Sequence, residues 1–72
     1  MLRELVWDNV CGRWDAVVDD EKGYQYAVKF ILEMEGLKPE DVEFYEDGDT
    51  VILHDTLADW DIGLILRRDK RG

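Results

Sequence analysis

The chain has 72 residues, with 18 acidic and nine basic side chains and a formal net charge of −9 at pH 7. A chain of this length is expected to form one domain, residues 1–72, because it buries only about 60% of its unfolded surface. No run approaches the ~18 apolar residues of a membrane span, and the first residues do not resemble a signal peptide, so a cytoplasmic location is expected. The single cysteine, Cys11, excludes an internal disulfide and a CxxC motif.

The negative charge is concentrated in the second half of the chain. Residues 40–61 carry nine carboxylates and no lysine or arginine, whereas residues 62–72 carry four basic residues and one acidic residue. Nucleic-acid binding through phosphates requires Lys and Arg, so the composition excludes direct nucleic-acid binding and favours a basic protein partner. The basic end, residues 67–72, is expected to be frayed.

A β-hairpin is predicted at the start of the chain. The loop Asp8–Gly12 begins with Asp and ends with Gly, which is typical of a type I turn closed by a left-handed residue. It joins Arg3–Trp7 to Arg13–Val18 and places Trp7 opposite Trp14 as a cross-strand pair. A short amphipathic helix is the alternative for the N-terminal segment.

The segment Tyr24–Glu35 follows a second loop of the same form, Asp19–Gly23, and fits two periodicities. Its apolar residues alternate as in a strand, but its polar residues also lie in one helical stripe. The segment Gly36–Pro39 favours a helix, because Gly36 can take the left-handed C′ position and Pro39 prevents continuation. Asp19 or Asp20 can then act as the N-cap. A helix is therefore predicted, with a long strand as the alternative.

A second hairpin is predicted from Val42, with Asp47-Gly48 in its turn. The expected register pairs Phe44 with Val51 and Val42 with Leu53, and these four residues form the core face. The opposite face carries Glu43, Tyr45, Thr50, Ile52 and His54.

The alternation of Trp60, Ile62, Leu64 and Leu66 predicts a last strand. The predicted fold is therefore α+β, a single small domain of order ββαβββ with one helix on a mostly antiparallel sheet. An all-β meander is the alternative.

One resemblance concerns the run YQYAVKFILEMEGLKPEDVEFYEDGDTVIL, residues 24–53. It is similar to the front half of an α-crystallin (small heat-shock) domain, in which a strand leads through a Leu-Pro-Gly-like bend into K-P-E-D-V and a hairpin. Here Met34-Glu35 stands where Leu-Pro would be, and only about ten residues separate Ile52 from Gly63, fewer than that family's middle strands need. The chain is not assigned to the family, and the resemblance supports the all-β alternative.

The motifs of common enzyme classes are absent from the sequence. It contains no GxGxxG, GxxxxGK[ST], HExxH or GxSxG pattern, so no enzymatic activity, catalytic residue, cofactor or metal is expected. The best candidate for a weak metal site or an acid–base pair is His54-Asp55 with Asp59 and Asp61 downstream. The favoured interpretation is a surface histidine next to carboxylates that stabilise its protonated form.

The carboxylates of residues 40–61 are the candidate partner-binding groups, together with two aromatic anchors. Glu46 and Asp49 are expected as cross-strand neighbours of like charge, which destabilise a hairpin and suggest a role outside folding. Solubility and protection of the sheet edge are the alternative explanation. The candidate residues are Glu40, Asp41, Glu43, Tyr45, Glu46, Asp47, Asp49, Asp55, Asp59, Trp60 and Asp61.

The expected function is that of a small acidic binding or inhibitor protein that docks on a basic, nucleic-acid-binding surface of another protein. Phage-encoded nuclease inhibitors, including anti-CRISPR proteins and mimics of DNA charge, share this small size and acidity as a class. One alternative is a structural or accessory module that forms a small homo-oligomer, and another is a chaperone-like β domain. A monomer or weak dimer is expected, because the carboxylates would repel their symmetry mates.

Overall fold

The computed structural model describes residues 1–69, which form five β-strands and one α-helix in the predicted order ββαβββ. The elements are β1 Leu2–Asp8, β2 Arg13–Val18, α1 Glu21–Glu35, β3 Val42–Asp47, β4 Thr50–Asp55 and β5 Trp60–Arg68, with one turn of 3-10 helix over Pro39–Asp41.

The strands form a single mixed sheet in the order β1-β2-β5-β4-β3. Helix α1 carries the chain from β2 to the far edge, where β3, β4 and β5 return as an antiparallel meander. Strand β5 thereby becomes the parallel neighbour of β2, which was not predicted. The α+β prediction is confirmed, and the all-β alternative is wrong because Tyr24–Glu35 is helical.

Both ends of α1 are capped as the sequence indicates. The side chain of Asp20 accepts a hydrogen bond of 2.8 Å from the Gly23 backbone N–H at the N-terminus. At the C-terminus Gly36 has φ 71°, and the Leu37 N–H donates to the Leu32 carbonyl at 2.8 Å. These caps satisfy backbone groups that the helix leaves free, and they favour helix over strand in this segment.

Gly23 corrects one prediction about the loop before α1. It does not close a turn but lies buried in the first turn of the helix. A Cβ atom at this position would lie 2.5 Å from the carbonyl carbon of Met1, so only glycine allows the N-terminal backbone to pass this close. Glycine is required here for space rather than for a positive φ.

The first hairpin forms as predicted. The Asp8 carboxylate accepts hydrogen bonds from the N–H groups of Val10 and Cys11, and Gly12 closes the loop with φ 69°. Trp7 lies opposite Trp14, with ring centroids 5.4 Å apart in an edge-to-face arrangement.

The hydrophobic core lies between α1 and one face of the sheet. Its best-buried large side chains are Val18, Ile31, Val51, Leu53, Leu64 and Leu66. A helix is about 10 Å wide, whereas five strands at ~4.8 Å spacing are about twice as wide. Because α1 packs mainly over β1 and β2, the β3 side of this face is left partly uncovered.

The register of the second hairpin differs from the predicted one by two residues. Phe44 pairs with Leu53 rather than Val51, and Glu46 pairs with Val51 rather than lying across from Asp49. The turn is Gly48-Asp49, because Gly48 has φ 61° and begins a two-residue loop. The predicted Glu46–Asp49 repulsion across the strands is therefore wrong.

A shift of two residues keeps every side chain on its predicted face. Val42, Val51 and Leu53 are buried as predicted, but Phe44 is 43% exposed and is not a core residue. Phe44 points to the α1 side of the sheet at the edge that α1 does not reach. Its exposure follows from the position of α1 rather than from the hairpin itself.

The first residues of the basic C-terminal end lie in the sheet. Arg67 and Arg68 belong to β5 and pair with β2, and the Asp69 N–H donates to the Val18 carbonyl at 2.7 Å. The frayed end was predicted for residues 67–72, of which positions 70–72 lie outside the described residues. Within residues 1–69, no helix has the length and apolar character needed to cross a membrane.

Candidate protein-binding surface

The face of the sheet opposite α1, here called the open face, carries no helix or strand within residues 1–69. The strand registers place side chains of β3, β4 and β5 side by side on it. Its residues on these three strands are Glu43, Tyr45, Asp47, Thr50, Ile52, His54, Asp61, Gly63, Ile65 and Arg67.

Three carboxylates surround His54 at one end of the open face, and we call this group the His54 cluster. The Nδ1 atom of His54 lies 2.6 Å from a carboxylate oxygen of Asp61, and Nε2 lies 3.4 Å from one of Asp59. Glu43 faces His54 directly across β3 and β4. The hydrogen bond to Asp61 raises the pKa of His54, burial opposes this, and the charges of Asp61, Asp59 and Glu43 raise it further.

The His54 cluster continues into an apolar centre. The Tyr45 hydroxyl donates a hydrogen bond to Glu43, which raises the pKa of Tyr45. Tyr45 is 53% exposed and pairs with Ile52, which in turn pairs with Gly63. Gly63 contributes no side chain next to Ile52, and a Cβ atom at this position would lie 3.4 Å from the Cβ atom of Arg13.

Two segments of candidate residues meet at the same end of the sheet. The backbone N–H and the side-chain hydroxyl of Thr56 both donate to the Asp41 carbonyl, at 3.0 and 2.9 Å. This contact holds the 3-10 turn with Glu40 and Asp41 beside the bend that carries Asp59. The sequence did not show this contact, because it depends on the register of β3 and β4, in which Val42 pairs with Asp55.

The remaining carboxylates of the hairpin lie at its other end. Asp47 is on the open face next to Thr50, and Asp49 lies in the exposed turn. Asp47 lies four residues, about 13 Å, along β3 from Glu43 of the His54 cluster. The acidic side chains therefore lie at two ends of an apolar centre rather than in one continuous row.

Three candidate residues lie on the α1 side of the sheet instead. Asp55 is 8% exposed, and its carboxylate accepts hydrogen bonds from the N–H groups of Leu57 and Ala58, so it shapes the bend and is not available to a partner. Glu46 is close enough to the Tyr24 side chain to affect it: burial, with a contribution from the Glu46 carboxylate, raises the pKa of Tyr24 to about 12. Trp60 is 67% exposed at the end of β5.

The His54 cluster contains most of the residues that the sequence offered as the best candidate for a weak metal site or an acid–base pair. Among the described residues, 1–69, no group of three or more His, Cys, Asp or Glu side chains is arranged to hold a metal ion. Asp55, which the sequence placed beside His54, points to the other side of the sheet, since adjacent strand residues face opposite ways.

A groove between α1 and β3 was missed by the sequence analysis. Its volume is about 530 Å³, and we call it the α1–β3 groove. Its apolar lining consists of Tyr24, Val28, Leu32, Pro39 and Phe44, and its outer rim of Gln25, Lys29 and Glu33. A usable signal was the number of strands, because one helix cannot cover a sheet that is twice its width.

No family model, curated protein or solved structure matches the chain.

Proposed function

We propose that this chain is a small, non-enzymatic binding protein that docks its open face on a basic surface of another protein. The surface that it covers is one that binds nucleic acid, so docking inhibits the partner by steric and electrostatic blocking. The observation that carries the proposal is the His54 cluster, which places Glu43, Asp59 and Asp61 beside the exposed Tyr45 on an uncovered sheet face.

The arrangement of charges favours a protein partner. Protein interfaces combine a central aromatic or aliphatic anchor with a polar rim. On the open face, Tyr45 and Ile52 are central and acidic groups lie at both ends of the hairpin. Acidic groups in such a rim speed association with a basic surface and exclude acidic competitors.

Mimicry of DNA charge is less well supported than docking by surface complementarity. A DNA strand presents one phosphate per ~3.4 Å, whereas neighbouring strands of a sheet are ~4.8 Å apart. Glu43 and Asp61 lie two strands apart with His54 between them. Arg13 and Arg67 also share the open face near β2. The carboxylates thus form a rim rather than a phosphate-like line.

The proposal is tested by capture of the partner and by its inhibition. Immobilised wild-type chain is exposed to lysate at low and high salt, and the proteins recovered are identified by mass spectrometry. We expect a nucleic-acid-binding protein whose recovery falls with salt, because screening shortens the range of the rim charges to a few Å near 1 M. The purified chain should then displace nucleic acid from that protein in a gel-shift assay.

Matched charge variants distinguish the effect of this surface on binding from the effect of net charge. Glu43→Gln with Asp61→Asn removes two charges from the open face, and Glu21→Gln with Glu35→Gln removes two from α1. We expect only the first pair to weaken binding, by about tenfold or more, since charge-assisted contacts contribute ~1.5–3 kcal/mol each. Equal losses in both pairs would mean that net charge alone governs binding and would contradict the proposal.

A further inference from the structure

Strand β3 is an edge of the sheet, and half of its backbone groups point outward. The two-residue turn makes Asp47 and Thr50 a hydrogen-bonded pair. Because Asp47 bonds to β4, the residues that alternate with it direct their N–H and C=O groups away from β4. Phe44 and Glu46 are two such residues. Within residues 1–69 no other strand pairs with this edge. An exposed row of this kind is a template for an added strand.

The α1–β3 groove runs along the same edge. Phe44 has its backbone on the free edge and its side chain in the groove, opposite Val28 and Leu32 of α1. In a paired strand, the residue directly across from Phe44 points to the same face. An apolar side chain at that position of an added strand would enter the groove. The rim of the groove carries Lys29 and Glu33, which balance each other in charge.

The other side of the β3 edge is acidic. Glu43 and Asp47 alternate with Phe44 and Glu46 and lie on the open face, on either side of Tyr45. The intervening residues of an added strand would therefore lie next to carboxylates and a tyrosine ring. Lysine or arginine complements both, through ion pairs and through contact with the aromatic face. The position across from Phe44 thus favours an apolar side chain, whereas the positions across from Glu43 and Asp47 favour basic ones.

We propose that β3 binds an extended segment of the partner by strand addition, and that this segment alternates apolar and basic residues. The apolar residues enter the α1–β3 groove, and the basic residues contact Glu43 and Asp47 on the open face. This inference rests on the proposed function, because it specifies how the basic partner engages the same surface.

The added strand at the β3 edge is expected to come from a basic partner and not from a second copy of this chain, because only the basic partner has complementary charge. In an antiparallel β3–β3 pair centred on Tyr45, Glu43 of one copy would face Asp47 of the other, and like charges directly opposite are destabilising. No lysine or arginine of residues 40–61 is available to offset this repulsion. A basic strand from another protein removes it.

The test uses two substitutions at one residue. Glu46→Ala and Glu46→Pro both remove the carboxylate near Tyr24, but only proline also removes the outward N–H. Proline is tolerated at such edge positions, and Tyr45 before it is already extended. The probe is a fluorescein-labelled peptide of about nine residues, one long strand, in which valine and lysine alternate. A peptide of the same composition with its valines and lysines in two separate blocks is the control.

We expect fluorescence anisotropy to show binding of the alternating peptide to the wild type and to Glu46→Ala. Binding should fall by about tenfold or more in Glu46→Pro, because the added strand loses a hydrogen bond and meets the proline ring. The block peptide should bind to the wild type no more tightly than the alternating peptide binds to Glu46→Pro. Equal binding of the alternating peptide by the alanine and proline variants would overturn the proposal.

Amide hydrogen exchange of the wild type supplies a second measurement that does not depend on folding of a variant. The outward amides of Phe44 and Glu46 should exchange more slowly when the alternating peptide is bound, whereas those of β1, the other edge, should not change. Bound peptide with no protection at β3 would overturn strand addition.

The double variant Glu43→Gln with Asp61→Asn distinguishes a failure of this inference from a failure of the proposed function. If Glu43→Gln with Asp61→Asn weakens binding while Glu46→Pro binds normally, the acidic docking surface stands and strand addition is wrong. If Glu43→Gln with Asp61→Asn binds normally while Glu46→Pro does not, the backbone contact of an added strand stands, but the acidic surface and the contact of basic residues with Glu43 are wrong.

Discussion

The Nδ1 atom of His54 and a carboxylate oxygen of Asp61 lie 2.6 Å apart across β4 and β5. This contact raises the pKa of His54 above the ordinary value of 6.5, with further contributions from Asp59 and Glu43. Protonation of His54 places one positive charge among three carboxylates. The net charge of the open face therefore depends on pH near neutrality.

The first prediction concerns this pH dependence. A raised folded-state pKa contributes stability that is fully present below pH 6.5 and is lost as the pH rises through the folded value. Asp61→Asn removes the main cause, so the pKa of His54 should fall and the pH dependence of unfolding should flatten above pH 6.5. His54 is the only histidine, so its ring signals give one NMR titration curve. An unchanged curve in Asp61→Asn would contradict this assignment.

The second prediction concerns Gly23→Ala. Alanine favours a helix by about 1 kcal/mol over glycine, but the new Cβ would lie 2.5 Å from the Met1 carbonyl. To avoid this clash Met1 must move, which disturbs the hydrogen bond that its carbonyl accepts from the Asp19 N–H. We expect net destabilisation of about 1–3 kcal/mol in thermal unfolding. Gln25→Ala, at an exposed position of the same helix, is the control and should change little.

The third prediction compares two residues that face each other in the second hairpin. Leu53 is 0% exposed, so Leu53→Ala should cost about 2–5 kcal/mol, a large part of the stability of so small a domain. Phe44 is 43% exposed and lines a groove, so Phe44→Ala should cost clearly less. Circular dichroism melts of the two variants decide the order. A larger loss in Phe44→Ala would mean that the groove is closed in solution.

These two residues also illustrate how far the sequence predicts this fold. The alternation of apolar residues assigned Phe44 and Leu53 to the same face, because side-chain direction in a strand depends only on parity. It did not predict their burial, which depends on where α1 lies over the sheet. The register error of two residues has a local origin instead, since Asp47-Gly48 and Gly48-Asp49 are both acceptable turns.

The candidate site was predictable to the same extent. Glu43, Tyr45 and His54 were assigned to one face from their alternation along the hairpin. The approach of Asp59 and Asp61 to His54 requires the β4–β5 pairing, which no local pattern specifies. The α1–β3 groove likewise requires the strand order, because it exists only where β3 is the edge.

The fourth prediction concerns Asp55. Its carboxylate caps the bend by accepting from the N–H groups of Leu57 and Ala58, at 3.0 and 3.3 Å. Asp55→Ala leaves these donors unpaired and should lower the free energy of unfolding by about 1–2 kcal/mol, comparable to the loss of a helix cap. Asp55→Asn retains an acceptor oxygen and should be milder. Asp59→Asn, at an exposed position of the same bend, is the control for charge.

The fifth prediction is that the chain is a monomer or a weak dimer at neutral pH. Carboxylates flank both accessible features of the open face, its apolar centre and the β3 edge, so a symmetric pairing through either brings like charges together. Sedimentation velocity at low and high salt tests this. Screening at high salt weakens the repulsion, so any association should increase with salt. Glu43→Gln with Asp47→Asn should associate more strongly than the wild type at low salt, and Glu21→Gln with Glu35→Gln should not. A tight wild-type dimer at low salt would contradict the prediction and would place the contact away from the open face, on the exposed Tyr26, Phe30 and Met34 of α1.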